Sequence, residues 1–184
     1  EQATAIGAVD VRCASSLVEV VQALAGMPWP DPPPTVGHEG APPLPDLADV
    51  RGQPDARLAL ELAAAGGHHL LLVGPPGAGK TMLAQRLPGL LPALDPVAAL
   101  EATMVYSAAG VPVPGGGVVR QPVVRAPHHS SSMVSLIGGG TNTLRPGETS
   151  LAHGGILFLD ELGEFPGHVL DALRQPLEEG VVRV

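Results

Sequence analysis

The apolar run Leu70-Leu71-Leu72-Val73 stops abruptly at Gly74-Pro75-Pro76-Gly77-Ala78-Gly79-Lys80-Thr81. A strand that breaks into glycines and re-forms as a helix is shaped to wrap an anion. Glycines let consecutive amides approach phosphate and tolerate positive φ. A helix opening near Gly79 aims its first amides and its dipole at the same charge. In the spacing G-x-x-x-x-G-K-[ST], Lys80 reaches the β- and γ-phosphates and the Thr81 hydroxyl holds Mg²⁺. The competing reading is an ordinary Gly/Pro turn, and the strand-then-helix setting argues against it. The residues expected to cradle the nucleotide are Gly74, Pro75, Pro76, Gly77, Ala78, Gly79, Lys80, Thr81 and Met82.

A second apolar run, Gly154-Gly155-Ile156-Leu157-Phe158-Leu159, ends in Asp160-Glu161. A P-loop needs an acid at the end of a neighbouring strand to hold the metal, and Asp160 fits. One residue further, Glu161 is placed to polarise an attacking water, so it joins Lys80 as a candidate catalytic residue. A carboxylate pair points to hydrolysis rather than to a kinase, which must exclude water. Acidic pairs also end strands because they are solvated; the P-loop upstream makes the chemical reading the stronger one.

Composition sets bounds on both motifs. The 184 residues allow one α/β domain with some extra elements, and 45% hydrophobic content is enough for a core. With 2% aromatic residues, that core is mostly Leu, Val and Ala. A net charge of −8 excludes a globally basic nucleic-acid binder. One cysteine, Cys13, excludes an internal disulfide. The sequence shows no transmembrane stretch and no signal peptide, so the expectation is a cytoplasmic protein with no membrane contact. The chain starts at Glu1 without Met and reads as a fragment.

Along the chain, Ile6–Cys13 alternates weakly as one strand. Ser16 and Glu19 form a capping box for a helix that stops at Gly26. Residues 1–26 read as the tail of an upstream domain, 27–46 as a Pro-rich linker, and 47–184 as the main domain. Within it, helices are expected from Pro54 to Ala65, from the P-loop to about Leu87, and from Pro96 to Ala108 after the cap Asp95. A strand is expected at His69–Val73. Residues 110–140 alternate Val and Pro around Gly115-Gly116-Gly117 and read as hairpins inserted into the core. A short helix is expected within Arg145–His153. Another is expected from Pro166 to about Gln175, limited by Pro176, with a strand opening at Val181.

Several stretches coincide with one family: Asp49-Val-Arg-Gly-Gln53, Ala63 through Ala84, Arg125-Ala-Pro-His-His-Ser130, Leu136-Ile-Gly-Gly-Gly140, Arg145-Pro-Gly-Glu148 and Leu151 through Leu162. From about Asp46 onward the chain closely resembles the magnesium-chelatase-like AAA+ proteins of the YifB/ComM competence type. The Arg-Ala-Pro-His-His and Arg-Pro-Gly-Glu segments carry that resemblance, since a P-loop alone is shared widely. The resemblance implies an α/β P-loop NTPase with a three-layer core, a parallel sheet and a β-hairpin insert. It implies ATP and Mg²⁺ as cofactors, a homo-hexamer and DNA as partner. The implied activity is ATP-driven branch migration or a helicase-like action in natural transformation and recombination, alongside recombination or competence proteins. Residues 1–26 resemble the end of a Lon/S5-like domain. The sensor 1 residue, the arginine finger and the C-terminal lid would lie beyond Val184, so this fragment is expected to bind ATP and hydrolyse it poorly.

In such proteins the stretch with Val50, Arg51 and Gln53 lies along the adenine; a plain loop is the alternative. Arg120, Arg125 and Arg145 are the candidate DNA-phosphate contacts in an otherwise acidic chain, with solvated loop arginines as the alternative. His128-His129 lacks ligand-spaced partners for a metal and is expected to order the insert or touch DNA or a neighbour. Arg174 is expected to pair with Glu178. A second function remains open: a magnesium-chelatase motor subunit driving metal insertion into a porphyrin. The strand-helix segment and Pro-rich linker upstream favour the DNA motor.

Overall fold

A computed structural model describes residues 12–31, 44–140 and 143–183. Most of the expected strand at Ile6–Cys13 and most of the Pro-rich linker lie outside the described residues; Arg12 and Cys13, which are described, are not in a strand.

Helix α1 spans Leu17–Leu24. The Ser16 side chain accepts the Glu19 N–H, and the Glu19 carboxylate reaches back to the Ser15 N–H at 2.6 Å and to its hydroxyl. The reciprocal bond of the capping box thus lands one residue before the cap. The Ser15 hydrogen bonds hold the Glu19 carboxyl below its ordinary value.

Helix α2 spans Pro54–Gly66, opened by a proline whose missing N–H is no loss there. Gly67, at φ 62°, closes it by donating to the Ala63 carbonyl. The expected strand at His69–Val73 is not formed: the segment has no ladder partner among the described residues, and Leu71 and Val73 are 70% and 86% exposed. Apolar character marks burial in a sheet only where a neighbouring strand supplies the ladder. Helix α3, Lys80–Ala84, is shorter than expected and gives way to a 3₁₀ turn at Leu87–Leu90, where Pro88 sits. Helix α4 runs Pro96–Ala109; Asp95 accepts from the Val97 and Ala98 amides, and Gly110 ends the helix at φ 68°.

Strand β1, Val124–Arg125, pairs in parallel with β4, Ile156–Leu157, with Val124 opposite Ile156. The ladder extends through Ile156 N–H to the Val123 carbonyl and Phe158 N–H to the Arg125 carbonyl, both at 2.8 Å. This corrects the reading of residues 110–140 as hairpins throughout: β1 is the parallel neighbour of the strand that leads to Asp160. Both of its residues are half-buried. Gly155 makes the pairing possible, since a Cβ there would run into the Val123 carbonyl. Helix α5, Met133–Ile137, is capped by Ser132 and leads to β2, Gly138–Gly139, antiparallel to β3, Arg145–Pro146.

Helix α6, Glu148–Leu151, precedes β4, and α7, Gly167–Ala172, follows it. Pro176 does not end the helical region as expected. It lies in the first turn of α8, Arg174–Glu179, where its absent N–H would have no intrahelical acceptor. Arg174 pairs with Glu178 at 4.0 Å, as expected. No strand forms at 181–183.

The apolar interior is three clusters. Leu47, Val50, Leu60 and Leu83 pack beneath the P-loop side. Ala102, Tyr106, Val119 and Leu151 join α4 to α6. Leu136, Phe165, Val169 and Leu173 seat α5 and α7 beside the acidic end of β4. Thr103 ties the middle cluster together: its buried hydroxyl donates to the Ala99 carbonyl and accepts the Val119 N–H at 2.9 Å. The chain is mixed α/β with a small parallel sheet. No helix among the described residues is long and apolar enough to cross a membrane.

Candidate nucleotide and metal site

The P-loop and the acidic motif, read separately in the sequence, meet in space. The Thr81 hydroxyl donates to Asp160 Oδ2 at 2.8 Å. A hydroxyl and a carboxylate side by side form a hard-oxygen donor pair of the kind Mg²⁺ takes. Thr81 is placed by the start of α3, which Gly79 opens at φ 83°, a value that favours glycine. Asp160 is placed by β4, two residues past the last ladder bond.

Lys80 folds back over the loop, its ammonium donating to the Gly74 carbonyl at 2.9 Å and the Pro75 carbonyl at 3.0 Å. Gly74, Pro75, Pro76 and Gly77 are exposed, while Ala78, Gly79 and Met82 are half-buried. Gln53 reaches the loop from the segment before α2, its amide donating to the Ala78 carbonyl at 3.3 Å. Arg51 is exposed, and Val50 is 2% exposed in the apolar cluster, so its side chain serves the core.

Glu161 has φ 54°, uncommon for a residue with a side chain. Its N–H donates to Asp160 Oδ1 at 3.0 Å, and its carbonyl accepts the Glu164 N–H at 2.8 Å. The Glu161 side chain is 65% exposed to solvent. One group meets it there: His129 Nδ1 lies 3.2 Å from Glu161 Oε2. The sequence reading missed this contact, which joins residues far apart in the chain and has no local signal. A cleft of about 500 Å³ opens between these parts, lined by Thr81, Gln85, Pro127, His129, Asp160 and Glu161 among others.

The three candidate DNA arginines are not equivalent. Arg125 is bidentate to Glu148, at 2.5 and 2.8 Å, and both side chains are mostly covered. That hydrogen bonding raises the guanidinium pKa further above its ordinary value. Burial raises the Tyr106 phenol beside it, against the pull of the Arg125 charge. Arg120 and Arg145 are exposed and make no side-chain ion pair among the described residues. No cluster of three or more His, Cys, Asp or Glu able to hold a metal exists among the described residues.

Comparison with known proteins places this geometry in a family. The chain is 56% identical over 139 residues to an uncharacterised protein of Mycobacterium tuberculosis, covering 76% of this chain and 28% of that protein. It is 55% identical over 137 residues to the competence protein ComM of Haemophilus influenzae, covering 74% of this chain and 26% of the relative. To YifB of Escherichia coli it is 51% identical over 142 residues, covering 76% and 27%. The chain therefore spans about a quarter of the length of these curated relatives. Residues 46–184 match the family model described as magnesium chelatase, subunit ChlI, so the chain belongs to that family of AAA+ P-loop proteins.

Proposed function

We propose that the chain is the nucleotide-binding part of a cytoplasmic ATP-hydrolysing motor of the ComM/YifB type that acts on DNA. The observation that carries the ATPase reading is the 2.8 Å bond between Thr81 and Asp160. It joins the phosphate loop to the acidic strand end, and a P-loop needs both at one point.

ATP would lie along Gly74–Thr81, with Gln53 and Arg51 near its base. Mg²⁺, held by Thr81 and Asp160, would neutralise phosphate charge. Lys80 exchanges the Gly74 and Pro75 carbonyls for phosphate oxygens. Glu161 orients water and accepts its proton at a carboxylate oxygen. The loop amides hold the phosphates in place, a service that needs no side chain and explains why the loop is rich in glycine.

In the complete protein the two-stranded sheet would be extended into a three-layer parallel core, with residues 110–140 as an insert carrying Arg120, and with Arg145 just beyond it. Assembly as a homo-hexamer would bring those inserts round a common axis where DNA passes. Branch migration or helicase-like action during transformation and recombination is the proposed task, supported by 55% identity to a protein named for competence. The isolated chain, covering about a quarter of such relatives, would bind ATP and turn it over slowly. The second reading, a motor subunit for metal insertion into a porphyrin, is favoured by the name of the matching family model. ATPase of the complete protein with and without single-stranded and branched DNA separates the two. Stimulation by DNA supports the DNA motor; a rate indifferent to DNA favours the chelatase.

A further inference from the structure

We propose that His129 is a positioning residue for ATP hydrolysis, its Nδ1–H holding the Glu161 carboxylate at the mouth of the cleft beside Thr81 and Asp160. The inference rests on the reading of Glu161 as the water-activating base.

Glu161 needs outside help to stay in place. Its side chain is 65% exposed, and its backbone sits at φ 54°. A free carboxylate on a two-carbon stem samples many rotamers, and few of them face the nucleotide site. A base must be within hydrogen-bond reach of the water whose proton it takes. Among the described residues, His129 Nδ1, at 3.2 Å, is the charged or polar side chain in contact with that carboxylate.

His129 itself is fixed from several sides. Its ring lies 4.0 Å from that of His128 and meets Phe165 edge-on at 6.4 Å and 82°. Phe165 is 5% exposed and anchored in the cluster with Leu136 and Val169. It closes the same 3₁₀ turn, Leu162–Glu164, that Glu161 opens, so one imidazole touches both ends of that turn. The chain around the ring is closed as well: the Ser131 N–H donates to the His128 carbonyl at 2.9 Å. The Ser130 N–H donates to His128 Nδ1, which ties the neighbouring ring to the same turn. Two acceptors do not approach this closely without a proton between them, so His129 Nδ1 carries it. The ring thus carries the rigidity of the Phe165 cluster to an exposed carboxylate.

Two substitutions separate the polar contact from the packing. His129→Phe keeps a ring against Phe165 and removes the donor. His129→Asn keeps a donor near Nδ1 and removes the ring. Both are made in the complete protein, with ATP as the probe, beside Glu161→Gln. The expected result is that His129→Phe lowers kcat about ten- to a hundredfold with ATP affinity unchanged. His129→Asn should recover most of the rate despite lost packing, and in the Glu161→Gln background neither change should lower the residual rate further. The inference is overturned if His129→Phe turns over at the wild-type rate while Glu161→Gln is inactive. It is also overturned if His129→Asn is as slow as His129→Phe, or if the loss of rate tracks a lowered melting temperature. An active Glu161→Gln would instead refute the assignment of the base.

Discussion

Thr81 and Asp160 stand 79 positions apart in the chain and 2.8 Å apart in space. Their contact joins the apolar cluster under the P-loop to the cluster under α7, because each residue sits on an element packed into one of them. Asp160→Asn should therefore weaken the dependence of ATP binding on Mg²⁺ and leave the fold intact, since an amide still accepts the Thr81 hydroxyl proton. Calorimetric titration with ATP at several Mg²⁺ concentrations measures it. An unchanged Mg²⁺ dependence would remove Asp160 from the metal site.

Lys80→Ala should weaken ATP binding by at least about tenfold in affinity, because it deletes the cation that lies across the loop. The bonds it makes to the Gly74 and Pro75 carbonyls are at the surface, so the melting temperature without ligand should hardly move. Equal ATP affinity in the variant would sink the P-loop assignment.

Arg120→Ala and Arg145→Ala should each lower the slope of log DNA affinity against log salt by about 0.7–0.9 in the complete protein, if each meets one phosphate. Basal ATPase should persist while stimulation by DNA falls. Arg125→Ala should behave differently, costing about 1–2 kcal/mol of stability by leaving Glu148 half-buried without its partner. Wild-type slope in the Arg120/Arg145 double variant would move the DNA contact elsewhere.

Gly155→Ala should destabilise by about 1–3 kcal/mol, because the new Cβ meets the Val123 backbone and forces β1 from β4. Thr103→Val should cost a similar amount, about 1–3 kcal/mol, by leaving the Val119 N–H buried and unpaired. Chemical denaturation reads both. A Gly155→Ala protein as stable as the parent would mean that the close approach relaxes at no cost.

What the sequence made legible was local. Pro54 and Gly67, and likewise Asp95 and Gly110, bracket α2 and α4 to within a residue of expectation, because caps act through neighbours a few positions away. The two motifs of the site were also legible, as each is a contiguous string. Pairing was not. Leu70–Val73 reads as a strand by its apolar side chains, but a ladder depends on which segment lies alongside, and none does among the described residues. Conversely β1 was hidden in a Gly- and Pro-rich stretch because its partner, β4, is far along the chain. Pro176 misled for another reason: a proline bars a helix interior but is harmless in a first turn, and only the break at Leu173 shows which applies. The contact of His129 with Glu161 had no local signature, since it depends on β1 lying beside β4.

The central claim is that Lys80, Thr81, Asp160 and Glu161 form one ATP-hydrolysing centre. Turnover and binding measured together in the complete protein carrying Glu161→Gln test it most directly. The amide keeps the shape of the side chain but cannot take a proton, so ATP should bind with parental affinity while hydrolysis falls by about 10²–10⁴. Hydrolysis at the parental rate, with ATP still bound, would contradict the account and place water activation on another residue.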